Sequence, residues 1–395
     1  MANRQTNQDL IRQALDRFTI EIPSWGFANT GTRFGKFLQP AAATTIEEKF
    51  ADAAHVNALT GVNPTLALHV EWDLPSGVAD VQAIQQLERK HGIRAGSINP
   101  NLFQDQAYKY GSICSPDPDI REKATSHMLD CVEIAKRLEA RDIALWVSDG
   151  SNYPGTQSIR KRIVWMEESF NRVHAALAPN QRLLIEYKPF EPAFYHTDIA
   201  DWGMALELAR SAGPQALVLV DTGHHYQAQN IEQIVAWLLH LKMLGGFHFN
   251  DRKYADDDLT LGSIDPYQVF RIFHQILIDP ASSVEVAFMI DQSHNLKGKM
   301  EAMVQTVAAA EELYAKAALV DLEKLEDLQQ QCKLVEAEEC FRTAFWTDVR
   351  PIVRDWRKSR GLPEDPLQAL AESGYVEKIT TERAAKNMGA VVSYA

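Results

Sequence analysis

LLIEY at 183–187, ALVLVD at 216–221, GFHFN at 246–250 and VAFMID at 286–291 succeed one another along the chain, separated by longer amphipathic stretches. Each run is near-continuously apolar rather than alternating, the pattern of a strand buried on both faces. Four similar runs precede them: FTIEI at 18–22, TLALHV at 65–70, IRAGSI at 93–98 and IALWVS at 143–148. Helical spacing fills the gaps. One helix is expected after Ser115-Pro116-Asp117-Pro118-Asp119, where Pro and Asp suit a helix entry, and Met128, Val132, Ala135 and Leu138 then recur on one face. Eight strand–helix units in series predict an α/β fold, a (β/α)8 TIM barrel. A doubly wound open sheet would carry a glycine-rich phosphate turn after its first strand. PSWGFANTGTRFG, which begins at Pro23, has no GxGxxG in that place.

Beyond residue 298 the character changes. Met300, Met303, Val304 and Val307, then Leu319, Leu322, Leu325 and Leu328, keep helix-like intervals up to about residue 360. Gly361-Leu362-Pro363 breaks the pattern and a polar tail follows. The expected organisation is a catalytic barrel over 1–298, opened by a short N-terminal helix, and an α-helical C-terminal extension with its tail over 299–395. Phe341, Phe345 and Trp346 crowd a short part of that extension, more aromatic area than one helix face usually leaves to solvent. This suggests contacts in a homo-oligomer.

Composition narrows the function. The 395 residues are 46% hydrophobic and 24% charged, ordinary for a globular protein. Forty Lys and Arg against 53 Asp and Glu leave a net charge of −13, which repels phosphate backbones, so no nucleic-acid partner is expected. Cys114, Cys131, Cys332 and Cys340 have no zinc-type spacing and suit reduced thiols. The N-terminus MANRQTNQDLIRQ lacks the apolar core of a signal peptide. The most apolar window, 236–247, is interrupted by His240 and Lys242 and is too short for a bilayer span. A cytoplasmic protein with no membrane partner is expected.

In a TIM barrel the chemistry collects at the C-terminal ends of the strands. Polar residues stand there at nearly every strand: Trp25, then His69 with Trp72 and Asp73, then Asn99, Asn101 and Phe103, then Trp146 and Asp149. Glu186 and Lys188, Asp221 and His224, His248, and Asp291 follow, with Asp256, Asp257 and Asp258 in the loop after the seventh strand. Glu186, Asp221, His248 and Asp291 end four successive strands, so a closed barrel brings three carboxylates and an imidazole to one point, a site for a divalent ion. Asp221, His224, Asp256 and Asp258 make a second. Five carboxylates in one cavity would repel strongly; two divalent ions with Lys188 beside them balance that charge. Carboxylate and imidazole ligands without thiolate favour Mn2+, Co2+ or Mg2+. Trp25, Phe103 and Trp146 offer shape to a substrate, and Trp25 or Trp146 could instead be packing.

The segments EIPSWGFANTGTRF, LHVEWD, KYGS, WVSDGSNYPG, EYKPFEPAFY, VDTGHH, GGFHFNDRKYADDD and MIDQSHN resemble the L-rhamnose isomerases of the broad-specificity bacterial type, within the xylose isomerase-like barrels. The resemblance resumes at TDVRPIVRDW and DPLQALAESGY. It implies a metal-dependent aldose–ketose isomerase acting on a small sugar, L-rhamnose above all, and a homotetramer. Glu186, Asp221, His248 and Asp291 would hold the substrate-binding or structural ion. Asp221, His224, Asp256 and Asp258 would hold the catalytic one. His69 matches the family histidine near the sugar ring oxygen, and Lys188 the lysine near the reacting carbonyl. A metal-assisted 1,2-hydride shift is expected because every carboxylate at the centre is taken up by an ion. Asp291 is the one that could instead act as a base. The alternative on the same barrel is a ketose 3-epimerase, whose chemistry uses paired glutamates across the sugar; this chain ends its eighth strand in Asp291 and puts Lys188 beside Glu186, which favours isomerisation.

Overall fold

A computed structural model describes residues 6–29, 37–151, 153–190, 196–280 and 285–388 of the chain. Its eight parallel strands are β1 (Ile22–Pro23), β2 (Thr65–His69), β3 (Arg94–Asn99), β4 (Asp142–Trp146), β5 (Arg182–Glu186), β6 (Ala216–Asp221), β7 (Leu244–Phe249) and β8 (Ala287–Ile290). They pair in chain order, and the bridge Glu21–Met289 joins the last strand to the first. The fold is the (β/α)8 barrel. Strands β2 to β8 lie within two residues of the apolar runs, because strands covered on both faces leave an uninterrupted apolar record. The first strand differs. FTIEI contributes only Ile22 to β1; the rest approaches β8 as extended chain, with Glu21 N donating to Phe288 O and Ile290 N to Glu21 O at 2.8 and 2.9 Å.

Side chains alternate along each strand, and this period-two pattern stacks the barrel interior in layers. Ala144, Leu184, Leu219 and Met289 form a small buried apolar cluster. Two residues further along the same strands stand Trp146, Glu186, Asp221 and Asp291. The apolar layer is therefore the floor on which the polar end of the barrel rests. Outside the strands a larger core of Ile, Leu, Val and Phe side chains seals the helices to the sheet. The expected helix after Ser115 spans Pro118–Arg137, capped by the Asp117 carboxylate on Asp119 N.

The C-terminal part is helical over Lys299–Ala317, Leu322–Gln330, Leu334–Trp346, Arg350–Ser359, Pro366–Glu372 and Tyr375–Met388. The helix Lys299–Ala317 packs against Pro266–Ile278 and Ile46–Thr60 and so completes the helical ring. Two expectations need correction. The segment after Gly361 is not merely a polar tail: Pro366–Glu372 and Tyr375–Met388 are helices that return to the barrel. The aromatic cluster is not left to solvent either. Phe345 is buried against Tyr267 and Phe270, and Phe341 meets Phe270 and His274. Trp346 alone of the three stays exposed, at 73%.

The returning helix is held by a buried ion pair. Arg383 donates to both Asp52 oxygens at 2.7 and 3.0 Å, and the Tyr375 hydroxyl donates to Asp52 Oδ1 at 2.7 Å. Removing one partner strands a buried charge. Arg383→Met should therefore lower the free energy of unfolding by about 3 kcal/mol, read from the urea midpoint; an unchanged midpoint would show the pair to be dispensable. Nearby, Glu48 receives Thr44 N at 2.7 Å and Lys386 at 3.0 Å. Burial opposes its charge, but those donors, the Thr44 hydroxyl and Arg383 outweigh burial and bring its acid down from 4.5 to about 2. Its folded value lies below its unfolded one, so its stabilisation is complete above pH 4.5 and is lost as pH falls towards 2. Glu48→Gln should flatten the acid limb of the melting profile in that window, and superimposable profiles would exclude this role.

Candidate metal and substrate site

Parallel register delivers the polar strand ends at one level: Asp221 pairs with His248, and His248 with Met289, two residues before Asp291. Glu186, Asp221, His248 and Asp291 place ligand atoms all within 4.8 Å of one another, as do Asp221, His224 and Asp256. His248 Nδ1 is 3.2 Å from Glu186 Oε2 and 3.7 Å from Asp291 Oδ2. His224 Nε2 is 3.3 Å from Asp256 Oδ2 and 3.7 Å from Asp221 Oδ2. Asp221 belongs to both groups. Asp258 lines the same cavity but stands outside the second group. Its backbone is left-handed, at φ 46°, and the chain turns at once into the bridge Asp251–Leu259. Asp257, between them, accepts Lys253 N and Tyr254 N and shapes the loop.

The two oxygens of Asp221 have different surroundings. Oδ1 accepts Gly223 N at 2.6 Å and Asn250 Nδ2 at 2.9 Å. Oδ2 is buried without a hydrogen bond, and so is His248 Nε2. Unsatisfied buried polar atoms are costly, and a set of carboxylates and imidazoles of this kind fits a divalent cation. Only glycine suits position 223, since a Cβ there would lie 2.4 Å from Asn250 Oδ1 and 2.7 Å from Asp256 Oδ1. Asn250 was not among the expected site residues; its place as the last residue of the GFHFN run was the available signal.

The charges are mutually dependent. Burial opposes ionisation of Glu186, yet His248 and His224 beside it hold its acid well below the usual range. Burial likewise opposes a charge on His248, which the Glu186 carboxylate overcomes, lifting the imidazole to about 9. Asp221 goes the other way: burial, with Asp256, Glu186 and Asp291 around it, pushes its acid up to about 7 despite His224. Lys188, buried, donates to Asp256 Oδ2 at 2.7 Å and lies over the Trp146 ring at 5.0 Å.

His69 stands opposite, among aromatic rings: Trp72 at 4.4 Å, Trp25 at 4.7 Å and Phe103 edge-on at 5.5 Å. Burial pushes its imidazolium down to about 3, so it is neutral. Phe103 also packs on Trp146 at 5.1 Å. These residues, with Lys188 and the ligand groups, line one cavity of about 860 Å³ including its open mouth. Not every polar residue at a strand end enters it. Asp73 pairs with Lys49 and Ser24 and accepts His69 N. Asp149 accepts Ser112 N and Cys114 N and ties two loops together. Behind His224, whose Nδ1 faces Tyr187 O at 3.0 Å, the Tyr187 hydroxyl and His225 Nε2 are 2.6 Å apart. That buried support had no mark in the sequence beyond the doubled histidine.

A (β/α)8 barrel with a carboxylate and histidine cluster at its C-terminal mouth that could hold a metal ion defines the class of protein. Residues 53–305 match the family model described as xylose isomerase-like TIM barrel. The chain belongs to that family. It is 38% identical over 394 residues to a protein of Rhizobium meliloti (strain 1021) described as a probable sugar isomerase, covering 98% of this chain and 91% of the relative. A xylose isomerase domain protein from Alicyclobacillus acidocaldarius superposes with a TM-score of 0.55 at 14% identity, over 76% of this chain and 99% of that one. A 3-keto-D-glucoside 4-epimerase from E. coli superposes with a TM-score of 0.53 at 13% identity, over 71% and 98%. At such identities the two structures report a shared fold. Among the described residues no helix is long and apolar enough to cross a membrane.

Proposed function

We propose that this chain is a divalent-metal-dependent aldose–ketose isomerase, acting on L-rhamnose and tolerating other aldoses. The observation that carries the reading is the pair of ligand groups sharing Asp221, with the Lys188 ammonium against Asp256 and neutral His69 across the cavity. The family and the Rhizobium relative described as a sugar isomerase support it. Glu186, Asp221, His248 and Asp291 would hold one ion. Asp221, His224 and Asp256 would hold the other, with Asp258 on the cavity wall as the source of a further ligand. Mn2+, Co2+ and Mg2+ all suit this donor set. Bound there, the ions would fix neighbouring sugar oxygens and polarise the C1 carbonyl.

The chain's own groups divide the remaining work. His69, neutral and set among aromatic rings, is suited to move a proton at the ring oxygen as the sugar opens. Lys188 offers positive charge where O1 becomes negative. Trp25, Phe103 and Trp146 wall the sugar and exclude water. The carboxylates are already engaged: Asp291 Oδ1 with the Trp25 indole, Asp256 with Lys188, Glu186 with two histidines, Asp221 with Gly223 and Asn250. With ions bound beside them these carboxylates would lose basicity, which would make them poor bases for the C2 hydrogen. This favours hydride passing from C2 to C1 while the O2 proton is carried to O1, which conserves atoms and electrons.

Chelator-treated protein reloaded with Mn2+ should convert L-rhamnose, L-mannose, L-lyxose and D-allose to ketoses, L-rhamnose fastest. A lost methyl in an apolar pocket is worth about 1–3 kcal/mol, so L-mannose should follow at a modest disadvantage. No ketose from any aldose, with C3 epimerisation of a ketose, would replace this reading by the epimerase. In D2O little deuterium should enter C1 of the ketose; near-stoichiometric entry in a single turnover would overturn the hydride route alone. We also propose a homotetramer, tested by light scattering, where a mass near the monomer's 44.4 kDa would refute it.

A further inference from the structure

Trp25 lines the cavity, and its polar atom is committed to a carboxylate of the same wall. The indole Nε1 donates to Asp291 Oδ1 at 2.8 Å. Asp291 Oδ2, the other oxygen, is the one on the His248 side, 3.7 Å from Nδ1. The indole therefore occupies one oxygen and leaves the second facing the ligand group.

The donor is held as firmly as the acceptor. Trp25 sits in the short turn Ser24–Phe27, which is entirely buried. A Cβ on Gly26 would come within 2.6 Å of Met303 Cε and 3.1 Å of Gln292 O, so this turn is pressed onto the chain leaving β8. The Ser293 hydroxyl reaches Trp25 O at 3.4 Å, and the Ser24 hydroxyl donates to buried Asp73. The contact also lies where the barrel is sparsely paired. Strand β1 has only two residues, and the seam to β8 is closed by the single bridge at Glu21. Above that bridge, the Trp25–Asp291 hydrogen bond carries the seam up to the level of the ligand groups.

We infer that Trp25 is a positioning residue for the metal centre: its indole N–H fixes Asp291 so that one carboxylate oxygen is presented to the ion held by Glu186, Asp221, His248 and Asp291. The inference rests on reading those four residues as a metal site. It gives Trp25 a role that a substrate-lining ring would not have. A ring that only lines the cavity acts when sugar is present, whereas a positioning indole acts on the ion before any sugar arrives. Outer-shell partners of metal ligands typically change affinity by about 10–100-fold when removed.

The test is direct Mn2+ titration of full-length protein without sugar, free Mn2+ being read by electron paramagnetic resonance. Trp25→Phe keeps the ring and removes the N–H. It should weaken one of two binding classes by about 10–100-fold and leave the other unchanged. Trp72→Phe is the control: it also faces the cavity, but its Nε1 donates to Gln104 Oε1 at 2.9 Å, so Mn2+ binding should not change. If Trp25→Phe does not give a cooperative melt in chelator, Trp25→His, with its ring N–H on a shorter arm, replaces it with the same expected loss. Wild-type protein that binds no Mn2+ would refute the metal reading itself. Wild type that binds Mn2+ alongside a folded Trp25 variant with unchanged affinity would refute the inference alone. Equal weakening in Trp25→Phe and Trp72→Phe would also refute it, because the effect would then belong to the aromatic wall.

Discussion

Asp221→Asn should lower turnover by about three orders of magnitude or more and abolish tight Mn2+ binding in both classes, the largest effect of any single substitution in this chain. Asparagine fits the space and can still accept Gly223 N and Asn250 Nδ2 through its amide oxygen. What then occupies the place of Oδ2 is an NH2 group, a donor facing His248, His224 and the remaining carboxylates. Charge and acceptor disappear together at the one residue common to both groups. The metal-free variant should be at least as stable as the wild type, since a fully buried carboxylate has been removed from among Glu186, Asp256 and Asp291. Loss of activity with an unchanged or raised melting temperature in chelator would therefore be the signature. Activity within tenfold of wild type would mean the ions are held elsewhere or not used.

Lys188→Met should reduce kcat by about 10²–10³-fold and leave KM for the aldose within a few-fold. Methionine has nearly the same length and keeps the contact with Trp146, so packing is preserved while the ammonium is lost. The side chain is 6% exposed and its charge lies 2.7 Å from Asp256 Oδ2, so little solvent screens it. A group that stabilises charge developing on O1 acts in the transition state and so appears in kcat. A raised KM with kcat intact would instead make Lys188 a residue of ground-state binding. Lys188→Arg should recover only part of the rate, because a planar fork does not reproduce a point charge between Asp256 and the Trp146 face.

Much of this molecule can be read along the chain. Strands β2 to β8 declare themselves because each is covered on both sides. Their final residues declare the site because a parallel barrel must bring those ends together. The first strand is harder: only Ile22 of FTIEI enters β1, and its pairing depends on Glu21 meeting a strand that comes more than two hundred residues later. The segment after Gly361 is polar in composition, and its docking includes the Arg383–Asp52 pair, a contact between residues far apart in the sequence. Phe341 and Phe345 look like an oligomer surface until the helix Pro266–Ile278 is placed beneath them.

By itself the sequence determined the order of the barrel strands and that Glu186, Asp221, His248 and Asp291 end four successive ones, since both follow from local periodicity. Only the tertiary structure decided which oxygen of each carboxylate is occupied and which is turned inward. Asp221 Oδ1 is taken by Gly223 and Asn250, Asp291 Oδ1 by Trp25, and Asp256 Oδ2 by Lys188, while Asp258 remains on the wall. The physical reason is that periodicity fixes the face a side chain occupies. Apart from Gly223, two residues beyond Asp221, the hydrogen-bond partners come from other strand ends, brought near only when the barrel closes.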